Sequence, residues 1–446
     1  MTRTGSVDRT APTDRPESAP ATAPGTGTRH PRRTAGALAA AAALLPALLA
    51  TSACGGPADA AAAGRTELTV MTWAPSGTGA TDRPGMTALA EAIGRELNST
   101  GGLGGHKLRV LTCNEQNTAD GVAACAQQAI DAHVVAVIGS YSQYGSDFMP
   151  ALERAGIPYL GGYGLSSPEF SSPLSYPVAG GSPALIAGSG RQLVDAGCKS
   201  VALIRPDTRA GDTLVNYLSG ALKPAGVKLT DVPAPEKSNN YTDYARRAIG
   251  DDRAGNCVIS ALGSEPTSNL LDPYRRLAPK HTQLASVIGS FQQSVVDATG
   301  GDAGPLRGAY ATGWYPAESS PVWDALRKTA RGFGTGQAMI DPSDPGVQTT
   351  WVAYEVFRQA AGRADKSKPL TARALTNVLD SGEPIETGGA TPPLSWGLTN
   401  MLPSADSPRL VNTSVTFQQV QGGRLVEQRQ GFVDVRWVLA GGKPPA

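Results

Sequence analysis

Short apolar runs alternate along the chain with segments whose apolar residues recur at helical spacing. Runs of three to five residues rich in Val, Leu and Ile are typical of strands buried on both faces of a sheet. Between them, apolar residues fall at steps of four, as in Leu89, Ile93 and Leu97. The runs are residues 68–71, 108–111, 134–138, 201–204, 227–229, 258–262 and 284–288. Alternating strands and helices predict crossover units, and therefore an α/β protein with doubly wound parallel sheets.

A break in this alternation divides the chain. Residues 172–183 contain three Pro and two Gly, which suit neither a strand nor a helix. The alternation resumes at Leu185, so two α/β domains of similar size are the simplest interpretation. A chain of 446 residues is long enough for both.

The pattern changes again after Gly308. Helices are predicted at residues 319–331, 346–363 and 370–380. Residues 410–438 then alternate between apolar and polar positions, which predicts strands. The pair Gly422-Gly423 within them predicts a hairpin turn.

The first 53 residues predict an export signal. Residues 1–34 end in a basic cluster and residues 35–53 carry no charge, which is the order of a signal peptide. The alternative is a transmembrane anchor, but these 19 uncharged residues are mostly Ala and contain Pro46. We assign residues 1–53 as the signal peptide of a lipoprotein and residues 54–65 as a flexible tether.

The lipoprotein assignment depends on residues 51–56, which read Thr-Ser-Ala-Cys-Gly-Gly. They resemble the lipobox of bacterial lipoproteins, whose Cys is diacylated and becomes the first residue. Thr51 stands where that motif usually has Leu. The resemblance implies that Cys54 is lipidated and that the protein is exported and anchored at the outer face of the cytoplasmic membrane.

Charge excludes one class of partner. The chain has 39 Lys and Arg against 38 Asp and Glu, and without the leader's six Arg and three acids the balance is 33 − 35 = −2. A nearly neutral body argues against nucleic acid as a partner, because phosphate binding needs clustered Lys and Arg. With 40% apolar residues, the chain can build a substantial core.

Four further cysteines are expected to form disulfides in an exported chain. Cys113 ends a predicted strand and Cys125 lies in the helix that follows, whereas Cys198 and Cys257 each precede a strand. Of the three possible pairings, these positions favour Cys113–Cys125 and Cys198–Cys257. The chain has no Cys-x-x-Cys spacing and its His residues are scattered, so neither a metal site nor a cofactor is predicted.

Three segments of the chain together resemble a known protein family in their order and spacing. They are residues 101–110 (Gly-Gly-Leu-Gly-Gly-His-Lys-Leu-Arg-Val), residues 134–142 and residues 155–160. Their order and spacing resemble type I periplasmic solute-binding proteins, and more narrowly the leucine/isoleucine/valine-binding protein family of ABC importers. The resemblance extends from about residue 65 to about residue 430.

This resemblance implies two α/β lobes that hold a ligand between them and are joined by a hinge of three crossovers, near residues 180, 310 and 405. The first lobe would comprise residues 66–181 and 313–405, and the second lobe residues 182–312 and 406–446. It also implies a small-molecule ligand, an ABC permease in the membrane as partner, and a monomer.

Ligands of open parallel sheets bind beyond the carboxyl ends of the strands, where loops expose hydroxyls and N–H groups. These loops, together with the resemblance, supply ten candidate ligand-binding residues. For each serine, a capping or turn role is an equal alternative. For Trp73, a place in the hydrophobic core is an equal alternative. The candidates are Trp73, Ser140, Tyr141, Ser142, Tyr163, Gly164 and Ser166 from the first lobe, and Arg209, Glu265 and Phe291 from the second.

The sequence departs from amino-acid binders at two positions. Ala210-Gly211 stands where those proteins have an aromatic residue before the Gly. Ser290-Phe291-Gln292 stands where they have an acid that pairs with the ligand's ammonium. Glu265 or Asp207 could take the place of that acid, and each is equally well explained as a solvent-exposed loop charge.

Two classes of function remain. The resemblance implies the solute-binding component of an ABC importer that captures a small polar molecule, an amino acid or an amide-like compound; a membrane-tethered ligand sensor of the same fold is the alternative. A hydrolase or nucleotide enzyme is not expected, because Gly-x-Ser-x-Gly, Gly-x-x-x-x-Gly-Lys and Gly-x-Gly-x-x-Gly motifs are all missing from the sequence.

Overall fold

The computed structural model describes residues 67–445 apart from residues 79–80, 237, 239, 288 and 337–339. The predicted signal peptide, the tether and Cys54 lie outside the described residues. The rest of this subsection concerns the part of the chain that the structure describes.

The first lobe is built on a sheet of five parallel strands in the order β2-β1-β3-β4-β5. Its strands are β1 (Leu68–Ala74), β2 (Leu108–Asn114), β3 (Val137–Ile138), β4 (Tyr159–Leu160) and β5 (Ser175–Tyr176). The helices before the first crossing are α1 (Pro84–Ser99), α2 (Ala119–Asp131), α3 (Gly145–Ala155) and α4 (Pro168–Ser171). Three more come from later in the chain: α10 (Asp324–Phe333), α11 (Pro345–Arg363) and α12 (Ala372–Asp380).

Both faces of this sheet are covered, as the apolar runs predict. Along β1, Val70 packs into the cluster formed with α1 and α11, whereas Met71 and Trp73 pack into the cluster formed with α2 and α3. Successive side chains of a strand point to opposite faces, so a strand that is apolar throughout needs helices on both sides.

The second lobe is built on a mixed sheet in the order β12-β11-β10-β9-β8-β6-β7, with β13 paired to β11. Its strands are β6 (Ser200–Pro206), β7 (Lys228–Ala234), β8 (Asn256–Ser260), β9 (Gln283–Val287), β10 (Tyr310–Gly313), β11 (Ser414–Gln421), β12 (Arg424–Glu427) and β13 (Val433–Asp434). Its helices are α5 (Gly181–Asp195), α6 (Arg209–Leu222), α7 (Thr242–Ile249), α8 (Ser264–Leu277), α9 (Gln293–Ala298) and α13 (Arg436–Leu439).

Strands β6 to β10 pair in parallel, and β11 to β13 are antiparallel additions from the end of the chain. The predicted hairpin is confirmed: β11 and β12 pair with Gln421 opposite Arg424, and Gly422 and Gly423 have φ of 56° and 73° between them. Such positive φ values at both central positions are what the tightest hairpin turns require. The predicted α/β class with two parallel-sheet lobes is therefore confirmed.

The chain passes between the two sheets three times: between β5 and α5, after β10, and before β11. The crossing segments lie side by side. Asn412 donates from Nδ2 to the carbonyl of Val178 at 2.9 Å, and the indole of Trp314 donates to the carbonyl of Gly181 at 2.9 Å. The lobes are joined by these three adjacent segments, and short linking segments between two lobes are where hinge rotation takes place.

Both predicted disulfides are present. Cys113 at the end of β2 is bonded to Cys125 in α2, with 5.8 Å between the Cα atoms. Cys198, which precedes β6, is bonded to Cys257 in the neighbouring β8, with 6.0 Å between the Cα atoms. Each disulfide therefore ties elements within one lobe.

The described residues contain neither a membrane-spanning helix nor a cluster of metal-ligating side chains. None of their helices combines the length and the apolar character needed to cross a bilayer. Within the same residues, no group of three or more His, Cys, Asp or Glu is arranged to hold a metal ion.

Candidate ligand-binding cleft

A cavity of about 380 Å³ lies between the two lobes, at the carboxyl ends of their parallel strands. This volume is within the range of roughly 300–1,000 Å³ typical of small-molecule sites. The first lobe contributes the loops that follow β1, β3 and β4, and the second lobe those that follow β6, β8 and β9. The residues of these loops that line it include Arg83, Tyr141, Tyr163, Leu165, Ser166, Thr208, Arg209, Leu262, Gly289 and Ser290.

Aromatic rings form one wall of the cavity. The ring centroids of Tyr141 and Tyr163 lie 5.0 Å apart, and Tyr163 meets Trp314 edge to face at 4.8 Å. All three side chains are buried. Trp314 follows β10 directly, at the second crossing, so this wall joins the site to the hinge. Leu165, Phe170, Leu185 and Leu214 extend the apolar lining.

A buried arginine stands beside this wall. The Arg83 side chain is only 7% exposed; its Nη1 donates to Asp344 at 2.7 Å, and its guanidinium lies 5.4 Å from the Tyr163 ring centroid. Burial disfavours its charged form, but the Asp344 carboxylate and the two tyrosines outweigh burial, so the pKa of Arg83 lies above its ordinary value. Burial in turn raises the pKa of Tyr163 to about 12, so its hydroxyl is a neutral group at physiological pH.

Local capping explains why Asp344 is held in place. It is the N-cap of α11, where its Oδ1 accepts hydrogen bonds from the Gly346 and Val347 N–H groups at 2.6 and 3.3 Å. Pro345 follows at the first helical position, which its fixed φ suits. The carboxylate thus anchors a helix and a cavity arginine at once.

The loop after β4 is organised by Glu169. This fully buried carboxylate accepts hydrogen bonds from the N–H groups of Gly164, Leu165 and Ser166 at 3.1, 2.9 and 2.9 Å, and from the Ser166 hydroxyl at 2.9 Å. Burial raises the pKa of Glu169, and these donors oppose that rise. These four donors among the described residues suit the ionised form of the carboxylate, which only accepts hydrogen bonds.

The lobes approach each other closely at Gly289, in the second-lobe loop after β9. Its φ is +107°, a region that side chains other than Gly rarely adopt, and a Cβ built there would lie 2.7 Å from the Tyr163 hydroxyl. Only a residue without a side chain fits between the sheet edge of one lobe and the tyrosine of the other.

Four of the ten predicted residues line the cavity: Tyr141, Tyr163, Ser166 and Arg209. Tyr141 and Tyr163 are in ring contact, and Arg209 begins α6 on the facing lobe. The Ser166 hydroxyl is bonded to Glu169, so its role in ligand binding stays a prediction.

Within the described residues, the other six have different surroundings. The buried Ser140 accepts from the Trp73 N–H at 3.0 Å, and the Ser142 hydroxyl donates to Glu115 at 3.3 Å. Burial raises the pKa of Glu115 to about 7, against the lowering effect of its hydrogen bonds from Asn117 and Ser142. These two serines point into the lobe and secure its loops.

Trp73 and Phe291 belong to hydrophobic cores. Trp73 is fully buried against Phe148 and Tyr159, at centroid distances of 5.2 and 5.9 Å, and Phe291 packs in the core of the second lobe. The Gly164 N–H is taken by Glu169, and Glu265 is exposed in the first turn of α8. The core alternative for Trp73 is thus the one that the structure supports.

Sequence reasoning did not single out Arg83, Trp314, Asp344 or Glu169. Arg83 and Trp314 lie in the segments that follow strands β1 and β10. Their position after a strand is therefore a signal in the sequence that could have identified them, because ligands bind at the carboxyl ends of such strands. Asp344 and Glu169 come from helices, and only three-dimensional contacts bring them to the site.

The chain forms two lobes that are joined by three crossing segments and enclose a cavity between facing sheet edges. This arrangement defines a solute-binding protein of the two-lobed type. Residues 70–423 match the family described as periplasmic binding protein, and this is well over half of the chain. The chain belongs to that family, as its sequence resemblance implied.

Solved structures share the fold. A branched chain amino acid ABC transporter protein from Thermus thermophilus with bound valine aligns with a TM-score of 0.70 at 15% identity, covering 85% of this chain and 100% of that one. A substrate-binding periplasmic protein from Ralstonia solanacearum aligns with a TM-score of 0.67 at 17% identity, covering 81% and 100%. An ABC transporter solute binding protein from Rhodopseudomonas palustris BisB5, in complex with 3,4-dihydroxy benzoic acid, aligns with a TM-score of 0.61 at 15% identity, covering 83% and 98%. No curated protein sequence matches the chain.

Proposed function

We propose that this chain is the lipid-anchored solute-binding component of an ABC importer. It captures its ligand outside the cytoplasmic membrane, and the ligand is a small molecule with a polar end, of the size of an amino acid or its amide. The observation that carries the proposal is the cavity itself, since both lobes line it and the hinge joins them. A ligand that contacts both lobes binds the closed form more tightly than the open form and so shifts the protein toward closure.

The solved structures support capture without chemistry. Two of them are described as ABC transporter proteins, and they hold different ligands, valine in one and 3,4-dihydroxy benzoic acid in the other. The fold therefore serves more than one ligand class, and the side chains of this chain's own cavity must select its ligand.

A thermal-shift screen of the full chain in detergent tests the proposal. The screen would include amino acids, amides, aromatic acids, fatty acids and short polyols, and bound compounds would be recovered and identified. We expect at least one compound to raise the melting temperature and to be released unchanged, since ligand that binds only folded protein stabilises it. Chemical conversion of the ligand, or the absence of any stabilising compound, would contradict the proposed function.

Lipid anchoring is part of the proposal and rests on residues 51–56. We expect the Cys54→Ala variant to move from the membrane fraction to the soluble fraction, because a diacylated Cys contributes two acyl chains and stable attachment. Fractionation of cells followed by immunoblotting measures this, and Ser52→Ala, which keeps the thiol, serves as the matched control. A Cys54→Ala protein that is processed and still sediments with membranes would place the anchor elsewhere.

A further inference from the structure

The cavity contains a cation whose hydrogen-bonding capacity is not used up by the protein. Of the Arg83 guanidinium, Nη1 is committed to Asp344, and Nη2 makes only a long contact of 3.5 Å with the Tyr163 hydroxyl. Its Nε is buried and has no hydrogen-bond partner among the described residues. Buried donors without an acceptor are rare in folded proteins, so each calls for an explanation.

A second unpaired group lies beside it. The Tyr141 hydroxyl has no hydrogen bond to any described residue, although the side chain is 95% buried in the cavity wall, with 5% of its surface exposed. Tyr141 packs against Tyr163, over which Arg83 is placed. Two neighbouring side chains therefore hold spare donors, and both line the same cavity.

The charges that face this cavity favour an anion. Among the described lining residues, the charged side chains are Arg83, Arg209 and Glu236. Glu236 is exposed, near the start of the loop that follows β7. The nearby acids are already engaged. Asp344, which is 17% exposed, pairs with Arg83 and caps α11, Glu169 holds the loop after β4, and the buried Glu115 accepts hydrogen bonds from Asn117 and Ser142. Among the described residues, a ligand ammonium would therefore find no buried carboxylate that is not already engaged, whereas a ligand carboxylate would find an arginine.

We propose that the ligand is an organic monocarboxylate with an apolar or aromatic body and no α-ammonium group. Its carboxylate would accept hydrogen bonds from the Nε and Nη2 edge of Arg83 and from the Tyr141 hydroxyl. A guanidinium edge matches a carboxylate with two parallel hydrogen bonds. Its body would lie against Leu165, Phe170 and Trp314, which form the apolar side of the cavity. This inference rests on the proposed function, since it names the ligand class of that site.

The test compares acids with their own amides. Benzoate, phenylacetate and hexanoate would each be paired with the primary amide, and leucine and phenylalanine would represent carboxylates that also carry an ammonium. Tryptophan fluorescence of the full chain in detergent would report binding, because Trp314 lies in the cavity wall, and calorimetry would give the dissociation constants. We expect at least one acid to bind at least tenfold more tightly than its amide and than either amino acid.

Arg83→Gln should weaken binding of that acid tenfold to a hundredfold and leave binding of its amide unchanged. Because this variant leaves Asp344 without its partner, the double variant Arg83→Gln/Asp344→Asn, which removes both charges, provides the same comparison in a protein without an unpaired carboxylate. Arg246→Gln, at an exposed arginine of α7 that does not line the cavity, is the matched control and should change affinity by less than threefold.

The outcomes separate the two proposals. If an amino acid or an amide binds best, or if both Arg83 variants keep the wild-type affinity for the acid, the carboxylate assignment is wrong and the solute-binding function stands. If no compound of this set or of the wider screen binds, both the function and the assignment are contradicted.

Discussion

Replacing Glu169 with Ala is expected to lower the free energy of unfolding by about 3 to 5 kcal/mol and to weaken ligand binding at least tenfold. Among the described residues, Glu169 is the acceptor for three backbone N–H groups and for the Ser166 hydroxyl, and the substitution removes it. Those donors lie on the loop that carries Tyr163, Leu165 and Ser166 into the cavity. A loop without its central acceptor no longer holds these side chains in place.

Two milder variants make this prediction specific. Glu169→Gln keeps one carbonyl oxygen for Leu165 and Ser166 but turns an amide toward the Gly164 N–H, so a loss of about 1 to 2 kcal/mol is expected. Ser166→Ala removes a single donor and should cost about 1 kcal/mol. Urea unfolding of the four proteins, with calorimetry of any compound found by the screen, measures both effects. Equal unfolding midpoints for wild type and Glu169→Ala would show that the loop is held by other contacts.

The position of the cleft was predictable from the sequence because it follows from topology. Apolar runs locate the strands, and the loops after parallel strands meet at one edge of a sheet. Tyr141, Tyr163 and Arg209 were reached in this way. Their directions were not predictable: Ser140 and Tyr141 are neighbours, yet the serine faces the backbone of β1 and the tyrosine faces the cavity. Which way a loop side chain points depends on the path of the loop, which local sequence does not determine.

The charged groups of the site were the hardest to predict. Glu169 looks like an ordinary first-turn acid of a short helix, and Asp344 looks like an ordinary N-cap. Glu169 is fully buried and the Asp344 side chain is 17% exposed, and Arg83 lies 261 positions from its partner Asp344. Sequence patterns are local, so a buried ion pair of this separation leaves no pattern to read.

The fold itself was largely predictable, and the exceptions have a common cause. Long strands such as β1, β2 and β6 have apolar runs, and the β11–β12 hairpin has its glycine pair. Strand β5 has only two residues and lies in the Pro-rich segment, where the composition indicates a loop. It is a strand because β4 pairs with it, which is a tertiary effect.

The two disulfides are expected to contribute unequally, and the difference tests how each constrains the unfolded chain. Cys198 and Cys257 are 59 positions apart, whereas Cys113 and Cys125 are 12 apart. By loop-closure entropy, the longer loop stabilises the fold by about 4 kcal/mol and the shorter loop by about 3 kcal/mol. Cys198 and Cys257 are both buried in the core of the second lobe, whereas of the other pair only Cys125 is fully buried, so removing the longer disulfide also costs more packing.

The Cys198→Ala/Cys257→Ala variant should therefore unfold at lower urea than the Cys113→Ala/Cys125→Ala variant, and both should unfold below wild type. Under reducing conditions the wild type should lose most of its advantage, because the covalent constraint on the unfolded chain is then absent. Peptide mapping without reductant, on protein taken from the cell envelope, supplies the control for both variants. Free thiols at these four positions would contradict the paired state, and with it the expectation that the chain folds in an oxidising compartment outside the cytoplasm.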